Sequence, residues 1–187
     1  GITKLMIDKK WYDETFVKRF TDFPLLVRTD NLKRLRAQEI FANYKSALAA
    51  DGPSMKIQGL TAEQHAKLGD FVIWDAKKNG PVAITRDDVG EAMAKKGLDP
   101  VLAGTFKVKL IDGKEVEVAT LWTLYQTHLK DYDLDTVVDI TSAPKAMIEQ
   151  LAEDIATMKP VAIHQGEGIN HWFHATEMNR AAYLPLL

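Results

Sequence analysis

The sequence of 187 residues contains no cysteine. Disulfides, thiolate zinc sites and iron–sulfur ligation are therefore excluded within these residues. The sequence also lacks any run of ~20 consecutive apolar residues, which is the length that a membrane-spanning helix requires. Acidic and basic residues nearly balance, at 26 and 24, so the composition does not indicate a nucleic-acid-binding surface.

The hydrophobic content and the length of the chain suffice for a folded core. Of its residues, 46% are hydrophobic, and domain lengths cluster around ~100 to 200 residues. The only dense basic cluster, residues 33–36, has no interleaved aromatic residues, and we predict that it is a solvated face. A helical apolar stripe begins directly at Ile2 without a capping residue, and the chain closes on the apolar residues 183–187. Both ends favour an internal segment of a longer protein.

In the first third of the chain, apolar spacing predicts a helix over residues 2–20 with a break near residues 8–11. A short apolar run at residues 25–27 has the length of a strand. Residues 31–44 show mixed, helix-like periodicity, and we expect a second helix there. Residues 51–54, Asp-Gly-Pro-Ser, have the composition of a turn.

Two β-hairpins are predicted in the middle of the chain. Residues 71–74 and 81–84 are apolar and flank a loop that contains Asn79-Gly80. Residues 106–111 and 115–118 alternate apolar with charged side chains around Asp112-Gly113. This alternation indicates that one face of the second hairpin packs against protein and the other faces water. We predict that residues 99–120 form an outward-facing insertion on a larger body.

In the last third of the chain, the sequence pattern predicts a helix, a strand, a glycine loop and a helix in that order. Residues 133–140 indicate a short helix and residues 144–158 a longer one, followed by a short buried strand at residues 161–163. The loop that follows contains Gly166 and Gly168, and a helix is predicted over residues 172–184. Because ligands of open α/β sheets bind beyond the carboxyl ends of the strands, we expect the binding site at residues 165–174.

This glycine loop allows other interpretations. It lacks the third glycine of the nucleotide-binding pattern, so it could equally be an ordinary tight turn. Three histidines lie nearby with two glutamates, but His171 and His174 are three residues apart, whereas a helical zinc site needs four. No serine or lysine nucleophile stands in an activating context. We therefore expect neither a catalytic residue nor a metal ligand within the chain.

Four stretches, taken together, have motifs of one protein family. Residues 164–174 read HQGEGINHWFH, residues 12–28 read YDETFVKRFTDFPLLVR, and FVIWD at residues 71–75 is followed by GPVAITRD at residues 80–87. Asp139-Ile140-Thr141 and the helix after it also fit. In this order they resemble the catalytic subunits of molybdopterin oxidoreductases of the dimethyl sulfoxide reductase superfamily, in its nitrate reductase-like branch. The fold class implied is α/β, a partial molybdopterin-oxidoreductase domain with an inserted β-hairpin.

Within that branch, residues 166–177 are most similar to the nitrite oxidoreductase alpha subunit, and perchlorate, chlorate, selenate and nitrate reductases are close. The resemblance implies oxidation of nitrite to nitrate at molybdenum held by two molybdopterin guanine dinucleotides. The metal's aspartate and a 4Fe-4S cluster are expected upstream of Gly1. The residues of this chain that the resemblance assigns to the cofactor are Gln165, Gly166, Gly168, Asn170, His171 and His174.

The resemblance further implies an iron–sulfur beta subunit and a membrane or haem electron-transfer subunit as partners, in a peripheral membrane complex on the periplasmic side. Residues 139–187 would then be an α/β segment of the cofactor wall, and no side chain of this chain would contact the oxyanion substrate. The nearest cation, Arg180, is expected to pair with Glu177 or a cofactor phosphate. A competing hypothesis is a self-contained α/β binding or interaction domain.

Overall fold

The computed structural model describes residues 1–48, 52–54, 61, 63–64 and 69–186. These residues form two compact units. The first unit consists of residues 1–13 and 126–187, and the second of residues 14–125. Helices and small antiparallel sheets make up the described residues, so the chain has a mixed α/β composition.

The second unit contains all the strands of the described chain, in two antiparallel sheets. Strands β1 (Leu26–Arg28), β4 (Thr105–Lys109) and β5 (Glu115–Thr120) form a sheet in the order β1-β5-β4. Strands β2 (Phe71–Asp75) and β3 (Gly80–Ile84) form a hairpin in which Phe71 pairs with Ile84. Helices α2 (Glu14–Phe20), α3 (Ala37–Ile40), α4 (Glu91–Lys95) and most of α5 (Leu121–His128) complete the unit.

Both predicted hairpins are confirmed. Gly113 turns the second hairpin with φ of +89°, a conformation that glycine adopts without steric cost. Val108 and Leu110 are buried, whereas Lys107 and Lys109 are exposed, so the alternation correctly separates the core face from the solvent face.

The second hairpin is part of the unit's core rather than an outlying appendage. Its strand β5 lies between β4 and β1, with Val27 opposite Ala119. The apolar face of the hairpin joins a core cluster that includes Leu26, Leu35 and Val72. Residues 99–120 were predicted to face outward. In the structure, only the face of the hairpin that carries Lys107 and Lys109 does so.

The helix predicted over residues 31–44 is wrong for most of its length, because only Ala37–Ile40 is helical. The backbone N–H of Leu35 donates to the carbonyl of Leu26 at 2.8 Å, and that of Arg28 donates to Lys33 at 2.9 Å. Leu35 itself is fully buried. Pairing with β1 and burial of this side chain therefore outweigh the local helix-like periodicity. The predicted turn at residues 51–54 begins at residue 51, which lies outside the described residues.

The first unit is built from helices: α1 (Ile2–Asp8), α6 (Leu134–Thr141), α7 (Lys145–Thr157), α8 (Glu167–Asn170) and α9 (Ala175–Tyr183). Its core consists of Met6 from α1 against Ala152 and Ile155 from α7. Asp133 caps α6 by accepting a hydrogen bond from the backbone N–H of Thr136 at 2.9 Å, which satisfies a donor that the helix leaves unpaired. The breaks and helices predicted here are confirmed within a few residues.

The buried strand predicted at residues 161–163 is not formed. These residues have no regular structure, and Ala162 is exposed while Val161 and Ile163 are half-buried. A strand needs a neighbour to accept its backbone hydrogen bonds, and the described part of this unit contains no strand. None of the helices described is long and apolar enough to cross a membrane.

Candidate functional site

The predicted site, residues 165–174, lies in the connection between α7 and α9 and is turned toward solvent. Glu167–Asn170 forms one helical turn, α8, where a loop was predicted. Trp172 and Phe173 are 69% and 85% exposed, which is unusual for large apolar side chains next to one another. This connection therefore leaves both backbone and aromatic surface open to a ligand or to other protein.

Asn179 brings two of the predicted site residues together. Its Nδ2 donates to Oδ1 of Asn170 at 3.0 Å and to the carbonyl of Ala175 at 2.8 Å. Its own carbonyl accepts a longer bond, 3.4 Å, from Nε2 of Gln165. Asn179 thus holds Asn170 through a hydrogen bond of ordinary length and Gln165 through a longer, weaker one. The sequence did not single out Asn179, because its position in α9, nine residues after Asn170, gives no sign of this role.

Gln165 presents an unsatisfied acceptor. The Oε1 atom of its side chain is buried and makes no hydrogen bond. Buried polar atoms without partners are uncommon in folded proteins and cost roughly 1 to 3 kcal/mol each. The arrangement therefore favours a donor group from outside the described residues beside this carboxamide.

Gly166 and Gly168 are not required by the packing of the described residues. A Cβ atom added at either position would meet nothing within 4 Å, and neither residue has a positive φ. A tight turn that needs a left-handed residue is therefore not the reason for these glycines. Gly168 also stands in the first turn of α8, where backbone N–H groups have no acceptor within the helix.

Among the described residues, the histidines of the segment do not join other His, Asp or Glu side chains in a group that could hold a metal ion. Nε2 of His171 is 3.8 Å from Glu167, and Nδ1 of His174 is 3.9 Å from Glu177. Both distances are too long for a hydrogen bond. His174 has a left-handed φ of +61°, so it directs the chain into α9. His164 is exposed.

Two arrangements were expected for Arg180, pairing with Glu177 or with a cofactor phosphate. The structure does not show the pair with Glu177. Glu177 lies next to His174 instead, and Arg180 is exposed without an ion pair to any described residue. The described geometry thus brings Gln165 and Asn170 together through Asn179, and leaves His171, His174 and Arg180 on the surface. The assignment of six residues to a cofactor stays a prediction.

No family model matches the chain. The chain is 30% identical to the respiratory nitrate reductase subunit alpha of Haloferax mediterranei, over 98% of this chain and 18% of that protein. It is 27% identical to the perchlorate reductase subunit alpha of Dechloromonas aromatica, over 98% of this chain and 20% of that protein. It is 25% identical to the chlorate reductase subunit alpha of Ideonella dechloratans, over 100% of this chain and 18% of that protein.

The chain therefore spans about a fifth of the length of the curated relatives it matches. The similarity extends through both structural units, since it covers 98% or more of this chain in all three cases. All three relatives are alpha subunits of oxidoreductases that act on an oxyanion. The chain is thus homologous, over nearly all of its length, to a segment of the alpha subunits of molybdenum enzymes of the dimethyl sulfoxide reductase family.

Proposed function

We propose that the protein to which this chain belongs is the catalytic subunit of a molybdenum enzyme that oxidises nitrite to nitrate, reversibly, by oxygen-atom transfer. The observation that carries the proposal is the similarity of nearly the whole chain to alpha subunits of oxyanion reductases. The motif of residues 166–177 favours nitrite among these substrates. Reduction of nitrate, perchlorate, chlorate or selenate is the alternative. Homology to enzyme subunits supports both over a self-contained binding domain.

We propose that this chain contributes part of the wall that holds one molybdopterin guanine dinucleotide. When bound, the cofactor supplies the metal centre at which the oxygen atom is transferred. Two features of this chain fit it: Gln165 has a buried acceptor without a donor, and the space beside Gly166 and Gly168 is open. Backbone N–H groups can approach phosphate closely where a side chain is lacking.

In this arrangement the chain's own residues bind and orient. The carboxamide of Gln165 would accept a hydrogen bond from the cofactor, and Asn170 would be held in position by its bond from Asn179. Residues 161–163 would pair as a strand with parts of the protein outside this chain, which would complete the predicted α/β unit. The iron–sulfur cluster, the beta subunit, the electron-transfer subunit and the peripheral membrane location belong to the same proposal.

The first experiment replaces Gly168 by Val in the full-length protein and measures molybdenum and guanine nucleotide per polypeptide. We expect a loss of several-fold, because the Cβ branch would keep the cofactor from the backbone. Gly80→Val is the matched control, since a Cβ at Gly80 meets only one atom, at 3.7 Å. Normal cofactor content in Gly168→Val would overturn the proposed contact.

The substrate is tested separately with the wild-type enzyme. Steady-state kcat/KM is measured for nitrite oxidation and for reduction of nitrate, chlorate, perchlorate and selenate, with artificial electron carriers. The proposal expects nitrite and nitrate to give the highest values. A ten-fold or greater preference for chlorate, perchlorate or selenate corresponds to about 1.4 kcal/mol in transition-state binding. Such a preference would overturn nitrite oxidation and favour reduction of that oxyanion.

A further inference from the structure

Three arginine side chains surround one phenylalanine ring in the unit formed by residues 14–125. The guanidinium carbons of Arg34, Arg36 and Arg86 lie 4.5, 4.4 and 5.4 Å from the centroid of Phe71. Each distance is within the ~6 Å at which a cation is attracted to an aromatic face. The ring, only 6% of which is exposed, therefore gathers three positive charges in one place.

The fold creates this cluster from distant parts of the sequence. Residues 34–36 are extended, since Arg34 and Arg36 form β-bridges with Val27 and Phe71. The two arginines therefore project to one side, while Leu35 between them enters the core. Arg36 forms an isolated β-bridge with Phe71, and Phe71 pairs with Ile84, two residues before Arg86. The prediction that residues 33–36 are a solvated face holds for Lys33 and Arg34, which are exposed, but not for Leu35, which is buried, or for Arg36, which is half-buried.

Arg34 and Arg86 differ in whether a carboxylate compensates their charge. Arg34 pairs with Asp22 at 3.2 Å, and Asp88, close to Arg86 in sequence, pairs with Lys96 at 2.5 Å. Arg86 forms no ion pair with any carboxylate in the described ranges, and its Nε is buried without an acceptor. Burial, followed by the charges of Arg34 and Arg86, lowers the pKa of Arg36.

A cavity of about 200 Å³ lies beside the cluster. Its lining includes Arg19, Arg34 and Arg86 together with Phe71, Asp22 and Asp88. The two carboxylates form their ion pairs with Arg34 and Lys96 rather than with Arg86. Pockets for drug-sized ligands measure roughly 300 to 1,000 Å³, so this cavity suits a smaller guest.

We propose that this cavity is a binding site for a small inorganic oxyanion, held by the guanidinium groups of Arg86 and Arg34. The planar fork of a guanidinium matches two oxygens of such an anion. Binding requires Arg86 to turn its Nε edge toward the cavity, which supplies the acceptor that this atom lacks. This proposal departs from the expectation that no side chain of the chain contacts the oxyanion substrate, which was based on the upstream position of the metal ligand and on the lack of a cation beside the glycine loop.

We choose nitrate as the probe. Only this choice of anion rests on the proposed function. The 187-residue chain, labelled with ¹⁵N, is titrated with sodium nitrate at constant ionic strength maintained with sodium fluoride. The Nε–Hε resonances of the arginines are followed by NMR. We expect a saturable shift of the Arg86 resonance in the millimolar range. Because no molybdenum is needed, the result is independent of the cofactor content measured for Gly168→Val.

Arg86→Lys keeps the positive charge but loses the fork. For this variant, followed through the backbone amides of residues 84–88, we expect an affinity for nitrate about 10-fold lower. Arg28→Lys, at an arginine that pairs with Asp30 and Glu39 and does not line the cavity, is the matched control and should bind as the wild type does. Arg19→Lys, which changes a second lining residue, tests the cavity if Arg86→Lys fails to fold.

Three outcomes would overturn the proposal. Shifts that rise linearly with nitrate and are equal in wild type and Arg86→Lys would indicate only the ion atmosphere. Equal shifts with chloride in place of nitrate would exclude recognition of an oxyanion. Tighter binding of acetate than of nitrate would indicate that the cluster receives a carboxylate, as from an acidic side chain of a partner protein.

Discussion

The indole ring of Trp74 and the phenyl ring of Phe106 stack face to face, with centroids 4.1 Å apart and planes inclined by 4°. Trp74 belongs to the hairpin β2–β3 and Phe106 to the three-stranded sheet, so this contact joins the two sheets of the second unit. Both rings pack against the same core cluster. The Phe106 ring also covers Gly104, where an added Cβ would lie 2.5 Å from it.

Replacing Phe106 by Ala should lower the free energy of unfolding of the chain by about 1 to 3 kcal/mol. The lost burial and the cavity provide most of this change for a half-buried ring, and loss of the stack adds about 0.5 to 1.5 kcal/mol. Urea unfolding followed by tryptophan fluorescence measures it. Phe173→Ala is the control, since Phe173 is 85% exposed and should change stability by less than about 0.5 kcal/mol. Equal effects of the two substitutions would contradict the role of the stack.

The carboxylate of Asp75 makes stability depend on pH. Asp75 is 1% exposed, and its oxygens accept from the backbone N–H groups of Lys78 at 2.9 Å and Asp99 at 2.8 Å. Burial alone would raise the pKa of this carboxyl, but the backbone hydrogen bonds, led by that of Asp99, lower it below its usual value. A carboxyl whose pKa is lower in the folded state stabilises the fold above its unfolded pKa, near 3.9. That stabilisation is lost as the pH falls through the lower folded value.

Asp75→Asn should therefore destabilise the chain at pH 7 by about 1 to 3 kcal/mol, because an amide is a weaker acceptor for these two N–H groups. Below pH 4 the gap between variant and wild type should narrow. Urea midpoints between pH 7 and pH 2.5 measure both effects. Asp131→Asn, at an exposed aspartate, should follow the wild-type curve throughout. A constant gap across this range would show that the ionised carboxylate is not the source of the stability.

Sequence patterns predicted this fold well where neighbouring residues determine the structure. The alternation through Val108 and the Asp112-Gly113 turn specify the second hairpin locally, and the capping aspartate Asp133 marks the start of α6. Each of these features depends on residues close together in the chain.

Prediction failed where contacts between residues far apart in the sequence determine the local structure. Leu35 is extended because it hydrogen-bonds to Leu26 and enters the core, and residues 161–163 are irregular because the described part of their unit offers no strand to pair with. The arginine cluster at Phe71 was missed for the same reason, since Arg86 is fifty residues from Arg36. At the candidate site, the motif included Gln165 and Asn170 but gave no sign that both hydrogen-bond to Asn179.

The solvent face of the second hairpin allows a test of subunit contact. Lys107 and Lys109 are exposed, and Lys107 pairs with Glu115 at 3.3 Å. We propose that this hairpin contacts the beta subunit, and a free surface hairpin is the alternative. Replacing both lysines by Glu in the full-length protein should then lower co-purification of the beta subunit, because like charges at an interface are repelled. Lys130→Glu with Lys159→Glu applies the same charge change at exposed positions of the other unit. Unchanged recovery of the beta subunit in the hairpin variant would favour the free hairpin.

Gln165 allows the structural and cofactor roles of the site to be separated. Its Nε2 makes one long hydrogen bond of 3.4 Å to Asn179, while its Oε1 is buried without a partner. Gln165→Met removes both polar atoms and keeps a side chain of similar length. In the isolated chain the stability should change by less than about 1 kcal/mol, since the weak bond lost is offset by removal of an unsatisfied acceptor.

In the full-length protein the same substitution should lower molybdenum and guanine nucleotide content, because the acceptor assigned to the cofactor is gone. Gln150→Met is the matched control. That glutamine is exposed on α7 and donates to Asp154 at 2.9 Å, so its loss should leave cofactor content unchanged. Thermal unfolding of the chain and metal analysis of the full-length protein are measured side by side. Gln165→Met could instead destabilise the chain by more than ~2 kcal/mol while the cofactor is retained. That result would show that Gln165 is a packing residue and that its Oε1 has a hydrogen-bond donor within the protein.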